Sequence, residues 1–140
     1  MKISTKGRYA LRLMLELSLH DPTQWISVKE IAEHQEISSK YLEQIITQLH
    51  RAGLVQSIRG AQGGYRLSKA PADCTVGMIL RAVEGELAPV SCLEGDNCCP
   101  RQDSCVTLEV WSKIQQAINS VVDHMTLQDL VDRYYEKQTT

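Results

Sequence analysis

No stretch of this 140-residue sequence stays apolar for anything near the roughly 18 residues a membrane span needs. With 43% hydrophobic and 23% charged residues, the chain has an ordinary globular balance, and we expect a soluble protein with no membrane partner. A secretory signal is also missing. The basic start, Met1 to Arg8, leads into a segment interrupted by Arg12 and Glu16 rather than into an apolar core, so a cytoplasmic location is expected. Internal repeats and low-complexity tracts are absent. No nucleophile, base and orienting group recur at a workable spacing, and the cysteine-rich segment has no nearby histidine, which argues against an enzyme. The length leaves room for one compact head and an appendage, not for two large domains.

Charge is unevenly placed. Residues 1 to 70 carry ten Lys and Arg against six Asp and Glu, a balance of +4, whereas residues 71 to 140 carry five against eleven, a balance of −6. A basic amino-terminal half suits a polyanion, because lysine and arginine displace the counterions condensed on a phosphate backbone.

Ala10, Leu11, Met14, Leu15 and Leu17 recur at helical spacing, with Arg8, Arg12 and Glu16 on the other side, which predicts a first amphipathic helix from Thr5 to about His20. Ser27 and Glu30 form a capping box that opens a short second helix. After the tight Gln35-Glu36-Ile37 connection, Ser38 or Ser39 caps a third helix that buries Leu42, Ile45, Ile46 and Leu49 and stops at Gly53. The period then switches to two: Leu54 to Ile58 and Tyr65 to Leu67 read as strands around the tip Arg59-Gly60-Ala61-Gln62-Gly63-Gly64. Thr75 to Val83 is another short helix. A long one follows from about Ser104 to Met125, about 33 Å at ~1.5 Å per residue, and its apolar stripe is too wide for a small head to cover. A second copy of the same helix can cover it, so a homodimer is expected. Thr126 with Asp129 caps a last helix. The expected fold is mainly α, a winged helix-turn-helix head with a long dimerisation helix. The chain divides into a head over 1–84, a cysteine-rich loop over 85–103 and the dimerisation and C-terminal helices over 104–140.

Three helices and a glycine-rich hairpin in that order point to double-stranded DNA. The outer face of the third helix offers Lys40, Tyr41, Gln44, Thr47, Gln48 and Arg51, types that pair with base edges in a major groove. The first amides of that helix, at Ser38 and Ser39, are placed for a phosphate. Arg59 stands among small or polar residues at a tip that fits a minor groove, flanked by Arg66, Lys6 and Arg12 as phosphate contacts.

Five cysteines in a reducing compartment read as a metal, cluster or redox site before a disulfide framework. Cys92, Cys98, Cys99 and Cys105 fall within fourteen residues, among Glu94, Asp96 and Asp103. Thiolates crowded with carboxylates call for a compensating cation, but the spacing matches neither zinc knuckles nor ferredoxin runs. On spacing alone, cluster, zinc and thiol switch stay open. Cys74, alone among apolar neighbours, reads as a small buried hydrophobe. His20, His34, His50 and His124 read as surface or capping residues.

The segments Met1-Lys2-Ile3-Ser4-Thr5-Lys6-Gly7-Arg8-Tyr9-Ala10, Tyr41-Leu42-Glu43-Gln44 and Gly53-Leu54-Val55, with Ser57-Ile58-Arg59-Gly60 and Gly63-Gly64-Tyr65, closely resemble the winged-helix regulator family that includes IscR, NsrR and CymR. The resemblance covers nearly the whole chain and is placed nearest the cysteine-containing, IscR-like branch. It implies a homodimeric transcription regulator, a repressor, whose long helices cross at the interface and whose recognition helices each read half of a pseudo-palindromic operator. Tyr41, Glu43 and Gln44 fall where family members read bases, and Arg59 falls at the wing tip. The resemblance further implies an iron-sulfur cluster, of the 2Fe-2S or 4Fe-4S kind, on Cys92, Cys99 and Cys105. Through it the protein would sense cluster, redox or nitric oxide status. Cys99 is preferred because its gap to Cys105 resembles the family's last spacing, while Cys98 has the same gap from Cys92. Two fourth ligands used in the family are replaced here by Leu108 and Arg8. Glu109, Cys98 or an exogenous ligand remain. The alternative is the same DNA-binding head with a thiol or zinc switch and no cluster.

Overall fold

The computed structural model describes residues 2–95 and 100–139. The chain runs α1 (Thr5–Ser18), α2 (Val28–Gln35), α3 (Ser39–Arg51), β1 (Val55–Ile58), β2 (Gly64–Leu67), α4 (Val76–Glu84), α5 (Val106–Val122) and α6 (Leu127–Gln138), with short 3-10 turns at Pro71–Asp73 and Ser91–Leu93. The predicted mainly α winged-helix architecture is what the chain adopts.

Local chemistry sets the helix starts. Ser4, Ser27, Ser38, Thr75 and Thr126 each accept a backbone N–H of the helix they open. A cap of this kind is worth about 1 kcal/mol. The reciprocal box predicted at Ser27 is only half made: Glu30 N–H donates to Ser27 Oγ at 3.1 Å, whereas Thr126 and Asp129 complete both halves. Between α2 and α3 the chain turns through Glu36, which sits in the left-handed region at φ 56°. Without glycine there, the turn is held by neighbours: Ile37 N–H donates to the Ala32 carbonyl at 3.2 Å, and the Arg12 guanidinium donates to the Gln35 carbonyl.

The core gathers Ala10, Leu13, Met14 and Leu17 of α1 with Ile31, Leu42, Ile45, Leu49, Ile79 and Leu127. Glu16 is buried as well, against the prediction that it lies on the polar side of α1. Leu127 shows that α6 folds back into the head's core, so the last of the three expected segments contributes to the first. The return is stitched by Val76 N–H to the Met125 carbonyl at 2.8 Å and Leu127 N–H to the Cys74 carbonyl at 2.9 Å. In the wing, β1 and β2 pair antiparallel from Val55↔Leu67 to Ile58↔Gly64, and Ile26 adds a third row by exchanging both backbone bonds with Tyr65, at 2.8 and 2.9 Å.

The helix predicted from Ser104 to Met125 is shorter at both ends. It begins at Val106 after Cys105, which gives it no side-chain cap, and ends at Val122, so its 17 residues span about 26 Å. Its apolar stripe stands in solvent: Val106 is 74%, Val110 50% and Val121 54% exposed. What attaches it is a small second core of Val76, Leu80, Leu87 and Val122, and the Arg81 guanidinium. Arg81 grips both carboxylate oxygens of Asp123 and donates to Asn119 Oδ1 at 2.9 Å.

This fork holds the Asp123 carboxyl below its ordinary range. A depressed folded value stabilises the protein above the unfolded aspartate pKa of about 4, and that stabilisation disappears as the pH falls through the folded value. Asp123→Asn should therefore lower stability by about 1 kcal/mol near neutral pH, a modest figure because the pair is partly exposed. The gap to wild type should close in acid. Urea unfolding of both proteins across that pH range measures it.

Candidate nucleic-acid interface and cysteine loop

Helix α3 divides cleanly. Leu42, Ile45, Ile46 and Leu49 are buried, while Ser39, Lys40, Glu43, Gln44, Thr47 and Arg51 are exposed on the opposite side. Ser38 is the cap, accepting Tyr41 N–H at 3.2 Å. Tyr41 is half-buried, its ring edge-on to Tyr9 with centroids 5.7 Å apart. Gln48 is placed differently from the other α3 candidates. It is half-buried in a crevice with Arg51, Ala52 and Ala82 of α4, and its buried Oε1 has no hydrogen-bond partner among the described residues.

The amino-terminal motif has a physical reading. Ser4 caps α1, and its backbone N–H also donates to Glu84 Oε1 of α4 at 3.1 Å. A side chain at Gly7 would meet that same Glu84 carboxylate. Tyr9 braces Tyr41 and carries the Arg12 guanidinium 5.4 Å above its ring, and Ala10 is fully buried. The motif thus seats α1 beneath α3 and against α4. Lys6 is half-buried, and Arg8 donates to Thr5 Oγ1 at 2.9 Å.

At the wing, Arg59 is exposed and Gly63 N–H closes the tip onto the Gly60 carbonyl at 3.0 Å. Gly64 is required by proximity, since a Cβ there would collide with the backbone of Ile26. Arg66 is not free at the surface. Its guanidinium lies 4.0 Å over the Trp25 ring and donates to Gln56 Oε1 at 3.1 Å, bracing the hairpin against the loop before α2.

In the cysteine loop, Cys92 is exposed on the Ser91–Leu93 turn, and Cys105 is half-buried at the start of α5. Both are free thiols, whereas Cys98 and Cys99 lie outside the described residues. The Thr107 hydroxyl, 3.2 Å from Cys105 Sγ, and then the Leu108 N–H pull the Cys105 thiol below its ordinary range. Burial instead pushes Cys74 up, in keeping with a core residue. The loop closes on itself where Gly95 N–H donates to Glu86 Oε2 at 2.9 Å, two residues past the end of α4. Glu109 falls in the first turn of α5.

Sequence reasoning missed one arrangement. His20 and His34, read as surface or capping residues, both converge on the buried Glu16. The i,i+4 spacing of Glu16 and His20 was visible; the third partner, brought by α2, was not.

Residues 3–133 match the family described as Rrf2, iron-dependent transcriptional regulator. The chain belongs to the Rrf2 family. It is 45% identical over 130 residues to the HTH-type transcriptional regulator CymR of Bacillus subtilis, covering 93% of this chain and 89% of that protein. Among solved structures, it is similar to CymR (YrzC), the global cysteine regulator of B. subtilis, at a TM-score of 0.78 and 43% identity, over 95% of this chain and 98% of that one. It is equally similar to T. potens IscR, at a TM-score of 0.79 and 42% identity, over 99% and 91% of the two chains. The protein is an Rrf2-family DNA-binding transcription regulator, and its relatives are named as regulators. Among the described residues, no helix is long and apolar enough to cross a membrane.

The wing of this Rrf2 protein depends on the Gly64 contact. Gly64→Ala forces a methyl into the Ile26 peptide and should lower stability by about 1–3 kcal/mol, the usual penalty of overpacking. Gln62→Ala, at the exposed tip, should leave the urea midpoint unchanged.

Proposed function

We propose that this regulator binds a pseudo-palindromic operator as a homodimer and represses through it, with DNA affinity set by an iron-sulfur cluster on Cys92, Cys99 and Cys105. The observation that carries the sensing reading is the Cys105 thiol. It is free of any disulfide, and the Thr107 hydroxyl and the Leu108 N–H draw it below its ordinary range where the loop enters α5. Thiolate is the form that ligates iron; Cys92 and Cys105 supply two free thiols on the described part of the loop, and Cys99 or Cys98 would complete the set. Leu108 and Arg8 offer no donor, which leaves Glu109, Cys98 or an exogenous ligand for the fourth position. A bound cluster supplies an iron-sulfur core that responds to redox state and nitric oxide. The chain's own residues carry the response. Leu87 packs the start of the loop against α4, and a cluster held by Cys92 and Cys105 would tie the Ser91–Leu93 turn to the start of α5.

On the DNA side, Lys40, Tyr41, Glu43 and Gln44 face base edges while the amides at Ser38 and Ser39 hold a phosphate. Gln48 takes part from the α4 side of the helix, Arg59 enters the minor groove, and Arg66 sets the wing angle from its seat on Trp25. Dimerisation is carried by the exposed stripe Val106, Val110, Ile114 and Val121. A second copy covers that stripe, because an apolar row of this length is unfavourable in water.

The sensor is tested by anaerobic reconstitution. Wild-type protein should take up iron and sulfide and gain visible absorption; Cys92→Ala, Cys99→Ala and Cys105→Ala should each lose it, and Cys74→Ala should keep it. Operator affinity should differ about tenfold with and without cluster, equivalent to about 1.4 kcal/mol of coupling. A colourless protein whose operator affinity changes on thiol oxidation establishes the thiol switch instead, a reading the depressed Cys105 thiol also favours. For the dimer, Ile114→Asp should give monomers with weakened operator binding in sedimentation at micromolar concentration. A monomeric wild-type protein overturns the α5 interface.

A further inference from the structure

We infer that Glu16, His20 and His34 form a binding site for a divalent transition-metal ion inside the DNA-binding head, separate from the cysteine loop. Glu16 Oε2 lies 2.7 Å from His20 Nε2 and 3.1 Å from His34 Nδ1, and one ligand atom from each of the three residues falls within 4.8 Å of the others. Glu16 is only 7% exposed, so its charge needs compensation. The other carboxylate oxygen, Oε1, is occupied by Gln35 Nε2 at 2.9 Å, which turns Oε2 toward the imidazoles. Their rings stand nearly parallel, 4° apart, with centroids separated by 6.4 Å. Orientation of a ligand carboxylate by an outer hydrogen bond is what metal sites use to fix their geometry.

The dimensions fit. Bonds of ~2.0–2.2 Å around a tetrahedral zinc ion separate its ligands by about 3.3 Å, so His20 Nε2 would back away from Oε2 by about 0.6 Å and His34 Nδ1 by about 0.2 Å, while the two nitrogens, now within 4.8 Å of each other, would close to about the same spacing. Two imidazoles and a carboxylate select zinc, copper, nickel or ferrous iron over calcium and magnesium. Three protein ligands leave one position open, and the site gives onto a groove of about 640 Å³ walled by Leu19, Tyr134 and Tyr135, with room for entry and for a water ligand. Arg12, the cation on that groove, is turned onto the Gln35 carbonyl and side chain. An ion held here ties α1 to the last turn of α2, immediately before the left-handed Glu36 and the Ser38 cap of α3. Occupancy therefore acts on the helix pair that meets DNA.

Calorimetric titration of zinc chloride into the full chain carrying Cys92→Ser, Cys98→Ser, Cys99→Ser and Cys105→Ser isolates this site from the loop. One zinc ion per chain should bind. His34→Ala, at an exposed position, should weaken it by more than the ~10–100-fold that outer-shell changes produce. His50→Ala should have no effect. Cobalt(II) added to the same loop variant gives a second reading: visible bands without sulfur-to-cobalt charge transfer should appear and vanish when His34→Ala is added. Absence of zinc uptake by a natively folded loop variant, or equal affinity in His34→Ala, overturns the proposal, as does cobalt absorption that is thiolate-derived throughout.

Discussion

Helix α4 is gripped at two polar points, and the placement of the other helices follows from them. At its carboxy-terminal end, Glu84 accepts the backbone N–H and hydroxyl of Ser4 at the start of α1, and Gly7 leaves the space for the approach. One turn earlier, Arg81 takes both oxygens of Asp123 at the end of α5. A carboxylate at a helix amino terminus is favoured by the free amides and the helix dipole, and a bidentate arginine fixes direction as well as distance. Between these points, Ile79 joins the main core and Leu80 the smaller one. α4 thus links α1 to the helix that projects into solvent.

That arrangement gives the sensing proposal its mechanical content. The loop of residues 85–103 starts at the end of α4 and finishes at the start of α5, so its state bears on the same pair of helices that Arg81 already joins. Two solved relatives, named CymR and IscR, share this backbone to nearly the same degree.

The local features were legible because local physics makes them. Ser4, Ser27, Ser38, Thr75 and Thr126 announce helix starts, and the face of α3 follows from the spacing of Leu42, Ile45, Ile46 and Leu49. Long-range features were not. Glu16 looked solvent-facing because its neighbours in sequence are Arg12 and Arg8; its burial depends on His34 and Gln35, delivered by another helix. The return of α6 rests on the Thr75↔Thr126 bridge, which no periodicity encodes. Arg66 read as a surface cation because nothing in the sequence places Trp25 beneath it. The loop was legible only as a crowd of thiols, and Cys98 and Cys99 lie outside the described residues.

The stacking of Arg66 on Trp25 equips the wing with its own optical reporter. The chain has two tryptophans, one under the hairpin and the other, Trp111, on α5. A guanidinium held 4.0 Å above an indole ring alters the electrostatic field that the indole senses, so emission from Trp25 should respond when the wing moves away, while Trp111 reports on α5. Replacing either with phenylalanine leaves a single-tryptophan protein, so that selective excitation of the remaining indole reports on the head or on α5 separately in solution, without an attached dye.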